Sequence, residues 1–159
     1  MKMAILELEY KNIRKITALK LPFTKADGSV ISNNFIMMAN GTGKTTTMEL
    51  IKGLFDGTAA GWTASKVRSF APTLTEADTG EFSTTVKFDD RQYKYFLSMN
   101  YKDGTVQVET SAPPKGREAG LRLPESIRGI FTPEFVRRFL FDGEQAAKSM
   151  DSSSNEADE

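Results

Sequence analysis

Two residue types are missing from this chain. Its 159 residues include no cysteine and no histidine. Without cysteine there is no disulfide framework, no thiol nucleophile and no Cys-ligated zinc or iron–sulfur centre. Without histidine the commonest general base and metal ligand is gone, and a Ser-His-Asp triad with it. Any metal used here should be a hard ion on oxygen ligands, magnesium above all. Long hydrophobic runs are also lacking: none approaches the roughly 18 residues of a membrane span. Residues 1–15 have too short an apolar stretch for a secretion signal and no small-residue cleavage site. These absences point to a soluble cytoplasmic protein with no membrane partner.

What is present suits one domain. Hydrophobic residues make up 39% of the chain, enough for a core, and charged residues 26%, ordinary for a globular protein. The 21 basic and 21 acidic residues balance, but not locally. Residues 1–72 hold ten Lys/Arg and five Asp/Glu, whereas residues 141–159 hold one Lys and six Asp/Glu. A zero sum is therefore compatible with one face that attracts a polyanion. Residues 149–159 are polar and acidic and read as a disordered tail, or as the solvated start of a further segment.

The hydrophobic period changes along the chain. Residues 3–9 read as a strand, and a turn-rich stretch at 24–28 splits a second pair of short strands. Residues 35–38, Phe-Ile-Met-Met, form a short apolar run that predicts a buried strand. Beyond the next loop, Met48, Leu50, Ile51, Leu54 and Phe55 recur at helical spacing, and Gly57 and Gly61 punctuate the end of that helix. From residue 81 the period is two. Segments 82–88, 93–101 and 105–110, separated by turns at 89–91 and 102–104, predict a three-stranded antiparallel meander. Residues 123–131 suggest a short helix. Thr132, Pro133 and Glu134 then supply a cap, a first-turn proline and a dipole-favouring acid for another.

The strongest chemical signal lies between the apolar run and the first helix. Residues 38–45 read Met-Ala-Asn-Gly-Thr-Gly-Lys-Thr, a G-x-x-x-x-G-K-[ST] phosphate loop whose first glycine is replaced by Met38. Gly41 and Gly43 allow the backbone to turn its N–H groups toward phosphate oxygens. The helix starting near Lys44 adds its positive N-terminus. Lys44 is expected on the β and γ phosphates, the Thr45 hydroxyl on Mg²⁺, and Thr46 near the α phosphate. The Met38 replacement is expected to weaken nucleotide binding without abolishing it.

Three further features carry a family resemblance. A first strand ends in Asn12-Ile13-Arg14, the loop lies about 30 residues into the chain, and after the meander an aromatic run ends in Asp142-Gly143-Glu144. The chain thus resembles the N-terminal lobe of an ATP-binding-cassette head of the SMC type. More narrowly, residues 139–145, the Phe70-Ala71-Pro72 segment and the acidic tail resemble the DndD family, SMC-like ATPases of bacterial DNA phosphorothioation. The resemblance implies an α/β P-loop NTPase fold with a mixed sheet plus an antiparallel β meander. It implies a lobe over 1–148, with 149–159 the start of a coiled-coil arm. It also implies ATP and Mg²⁺ as cofactors, DNA as a partner, and a C-terminal lobe, a second head and other proteins of a DNA modification system as further partners. Asn12, Arg14, Asn40, Gly41, Thr42, Gly43, Lys44, Thr45 and Thr46 correspond to nucleotide-binding positions, with Arg14 on phosphate and Asn40 bracing the loop or the γ phosphate. Asp142 stands where most such heads have Gln. There it would act in catalysis beside Lys44 and ligate Mg²⁺ beside Thr45, although Asp142-Gly143 alone also reads as a turn. Trp62 reads as a loop anchor or, less simply, as a platform for adenine.

Phosphoryl transfer to water also needs a carboxylate that positions the water. No four-apolar-residue strand ending in Asp-Glu occurs, and no Ser-Gly-Gly-Gln-like segment either; Phe88-Asp89-Asp90 falls in a meander turn. The full-length protein is therefore expected to be an ATPase, and these 159 residues a lobe that binds nucleotide weakly and turns over negligibly. Two alternatives remain at this level: an SMC-like repair or recombination ATPase, and a nucleotide-sensing module without catalysis. A small-molecule kinase would need a parallel βαβ alternation after the loop helix, and the meander argues against it.

Overall fold

A computed structural model describes residues 2–31, 36–37, 41 and 43–139. Its frame is a six-stranded sheet in the order β2-β1-β3-β4-β5-β6. The strands are β1 (Met3–Ile13), β2 (Ile16–Pro22), β3 (Thr79–Phe88), β4 (Arg91–Asn100), β5 (Thr105–Ser111) and β6 (Arg117–Ala119). The helices are α1 (Lys44–Phe55), α2 (Ala64–Arg68), α3 (Glu125–Arg128) and α4 (Pro133–Phe139), with a 3₁₀ turn at Thr58–Gly61. The chain is thus mixed α and β.

Alternation decides which face of the sheet is buried. Leu8 and Tyr10 of β1, Phe82 and Val86 of β3, and Tyr95, Leu97 and Met99 of β4 point to one side. There they meet Leu50, Leu54 and Phe55 of α1, Val67 and Phe70 around α2, Ile127 of α3 and Val136 of α4. Phe55 sets its ring edge-on against Tyr95 and Phe131, at 5.5 and 5.7 Å between centroids. The opposite face carries Glu7 and Glu9 of β1, Lys20 of β2, Lys94 of β4, and Glu81 with Arg117, which pair across strands.

The meander expected at 82–110 is present, and β6 extends it. The predicted cap of α4 is also formed, since the Phe135 amide donates to Thr132 Oγ1 at 3.2 Å. Two expectations are corrected. The sheet was expected to be mixed, yet every described strand pair is antiparallel. The reason is visible at β1: β2 takes one of its edges and β3 the other, so the meander continues this sheet directly. The apolar run at 35–38 was expected as a buried strand, but its described residues Ile36 and Met37 belong to no strand and are exposed, Met37 at 96%. Phe35 and Met38 lie outside the described residues, and a run of four apolar residues carries no information on its partner. No helix among the described residues is long and apolar enough to cross a membrane.

Candidate functional site

The site begins where β1 turns into β2. Asn12 and Arg14 both hold left-handed backbone, with φ of 51° and 49°. For residues with a Cβ this conformation costs on the order of 1 kcal/mol each and needs outside support. Support comes from two long-range contacts. The Tyr101 hydroxyl donates to the Asn12 carbonyl at 2.7 Å, and the Arg14 amide donates to the Phe70 carbonyl at 2.8 Å.

The second component is the start of α1. Gly43 is its N-cap residue, with φ of 136°, and Gly41 has φ of 75°. Side chains rarely adopt either value, so glycine is required here. Among the described residues no side chain caps the helix, and its first turn holds no acidic residue. The positive dipole end of α1 favours an anion placed against it.

Tertiary structure unites the two components. Arg14, Lys15, Ile16, Gly41, Gly43, Lys44, Thr45, Thr46, Ser69 and Thr73 line one cleft of about 490 Å³. Its described lining carries three cations, Arg14, Lys15 and Lys44, and no carboxylate. Such a lining favours an anion over a cation.

Arg14 is held by three polar contacts of its side chain, although that side chain stays about a third exposed on the cleft. Its Nε donates to the Ser69 carbonyl at 3.1 Å and its Nη1 to Thr46 Oγ1 at 2.8 Å. Nη2 lies 3.1 Å from Glu49 Oε2, an oxygen sealed from solvent that makes this ion pair and no hydrogen bond. The guanidinium plane sits 4.7 Å from the centre of the Phe70 ring. Glu49 in turn accepts from Lys66 at 2.6 Å. Trp62 stacks on Phe70, at 5.1 Å between centroids and an interplanar angle of 22°, so it is a loop anchor.

The threonines divide by exposure. Thr45 is exposed and lines the cleft. Thr46 is buried and already accepts from Arg14. Thr47 donates to the Gly43 carbonyl at 2.8 Å, and its oxygen lies 3.0 Å from the Tyr10 hydroxyl. Because the single Thr47 proton goes to Gly43, Tyr10 is the donor in that pair. Burial raises the Tyr10 pKa above its ordinary value, so the hydroxyl keeps its proton.

Of the residues expected from sequence, Arg14, Gly41, Gly43, Lys44, Thr45 and Thr46 meet in this cleft. Asn12 does not line it. Its side chain reaches the Thr79 carbonyl at 3.4 Å and borders a separate depression with Glu9 and Thr17. Asn40, Thr42 and Asp142 lie outside the described residues, as do Met38 and the tail at 149–159. Of the expected Mg²⁺ ligands only Thr45 is therefore described. An exposed hydroxyl on a cationic cleft is chemically compatible with magnesium, which takes one or two protein oxygens and completes its shell with water or ligand oxygens. Sequence reasoning missed Lys15, Ser69 and Thr73. Lys15 stood beside a residue that was singled out, whereas Ser69 and Thr73 join the cleft through the fold alone. No protein-family model matches the chain, and no curated protein matches it.

Proposed function

We propose that the cleft binds a nucleoside triphosphate, ATP with Mg²⁺. On this reading the chain is the nucleotide-binding lobe of an SMC-like, DNA-associated ATPase, of the kind that serves DNA phosphorothioation or a related modification or defence system. One observation supports the nucleotide part: Arg14 and the glycine-lysine-threonine loop, some 30 residues apart, face one cleft at the start of α1, and the described lining of that cleft holds no acid. Gly41 and Gly43 bring backbone close to the phosphates, Lys44 supplies a point charge, and Thr45 offers an oxygen to the metal. Magnesium, when bound, neutralises phosphate charge. The P-loop NTPase fold, head dimerisation and DNA as a partner rest on the resemblance in the loop, the Asn12-Ile13-Arg14 segment and the antiparallel meander.

Titration calorimetry with ATP and Mg²⁺ tests the nucleotide reading. The unmodified chain should bind, and Lys44→Ala should weaken binding roughly 10- to 100-fold, the range for losing a charge-assisted phosphate contact. Equal binding by Lys44→Ala would sink this reading. Turnover by the 159 residues alone should be negligible, because the sequence offers no apolar strand ending in paired carboxylates. Robust Lys44-dependent hydrolysis would overturn the view that a second lobe completes the enzyme.

A further inference from the structure

The cleft holds a cation that sequence reading passed over, and its role rests on the nucleoside triphosphate reading of the site. We propose that Lys15 is the second phosphate-contacting cation of the cleft and selects for ligands with a longer phosphate chain, while Arg14 is a positioning residue.

Arg14 is a poor candidate for the ligand contact. Its Nε, Nη1 and Nη2 each face a protein acceptor: the Ser69 carbonyl, the Thr46 hydroxyl and the Glu49 carboxylate. One face of its guanidinium lies against the Phe70 ring. Glu49 offsets its charge at 3.1 Å, and drawing Arg14 away would strand a carboxylate oxygen that is sealed from solvent. What Arg14 does is tie the first turns of α1 to the end of α2, which fixes the wall of the cleft.

Lys15 is the opposite case. The left-handed backbone of Arg14 turns the chain, so two consecutive basic side chains part company. Arg14 runs toward Ser69 and Glu49; Lys15 runs toward the glycine loop. A Cβ built on Gly41 would lie 3.7 Å from Lys15 Nζ, so the ammonium sits directly against the loop backbone. Lys15 is exposed and lines the cleft. Among the described residues no carboxylate forms an ion pair with it. A compact ammonium on a four-carbon stem can follow a phosphate oxygen without disturbing the fold. Each added phosphate adds negative charge at the loop, whereas the nucleoside adds none. The contribution of Lys15 should therefore grow from mono- to di- to triphosphate.

The test titrates the 159-residue chain with ATP, ADP, AMP and inorganic tripolyphosphate in Mg²⁺ at fixed low salt. Lys15→Ala should weaken ATP and tripolyphosphate about tenfold, ADP less, and AMP by no more than about twofold. Lys15→Arg should restore most of the loss. Without ligand, Lys15→Ala should melt with the unmodified chain, while Arg14→Lys should melt lower, because one ammonium cannot serve three separate acceptors. Unchanged ATP affinity in Lys15→Ala, with normal binding by the unmodified chain, overturns the proposal alone. So does an equal loss for all three nucleotides. Failure of the unmodified chain to bind any polyphosphate overturns the triphosphate reading itself, and the role of Lys15 with it.

Discussion

Tyr10 illustrates how a single buried hydroxyl serves the site without touching it. It is 3% exposed, stands on the core face of β1, and donates to Thr47, which donates to the Gly43 carbonyl. A sheet residue thereby holds the turn that opens α1. Replacing it by phenylalanine keeps the packing against Phe82, whose ring centre lies 5.2 Å away, and removes only the hydrogen bond. Tyr10→Phe should lower stability by about 1 kcal/mol in urea unfolding, the usual net worth of such a bond. No change would mean that the Thr47 to Gly43 bond alone sets the turn. Sequence could not have found this link. Alternation assigns Tyr10 to a strand and helical spacing assigns Thr47 to a helix, but nothing in either pattern puts them 3.0 Å apart.

Helix α1 shows a contest between local preference and packing. Gly53 lies inside the helix, where alanine is ordinarily better by about 1 kcal/mol. Here a Cβ would fall 2.2 Å from the Trp62 ring, which is itself pinned by its stack on Phe70. Gly53→Ala should therefore destabilise, by about 1–3 kcal/mol in thermal or urea unfolding. A stabilised variant would show that the indole can step aside. The strands carry their own test on the charged face of the sheet. Glu9 meets Lys94 and Lys20 across the strands, and the hydrogen bond from Lys94, ahead of that from Lys20, holds its pKa down at about 2, against an ordinary 4.5. A lowered carboxylate pKa stabilises the fold above pH 4.5, and the contribution fades as pH falls toward 2. With the side chain about a third exposed, screening limits it to about 1–2 kcal/mol. The difference in unfolding free energy between the parent and Glu9→Gln should shrink over that window; a constant difference would remove the ladder as its source. Elements of this length were legible because period and turn residues agree, as in β3, β4, β5 and α1. Three-residue β6 and five-residue α2 are too short to show a period, and the apolar run at 35–38 has no period either, with its described residues Ile36 and Met37 exposed and outside any strand.

Over the whole molecule, the cleft draws on three separated stretches: the β1–β2 turn, the start of α1, and residues 69–73 after α2. The loop was legible because its residues are contiguous. The cleft as a unit was not, because its second and third walls meet the first only through the packing of Phe70, Glu49 and Arg14. A ligand bridging these walls should act on two levels. Mass action raises the stability of the whole fold, by about 2.7 kcal/mol at a ligand concentration about a hundredfold above Kd. Local openings that would break the cleft become rarer still. Amide hydrogen exchange with and without ATP and Mg²⁺ separates the two. Amides of residues 14–16, 43–47 and 69–73 should gain protection beyond any uniform increase. Those of β5 and β6, which β3 and β4 separate from β1, should gain only the uniform part. Excess protection at β5 and β6, or none at the cleft, would place the ligand elsewhere. Lys44→Ala should weaken both levels together at the same ligand concentration, since each depends on the same bound phosphate.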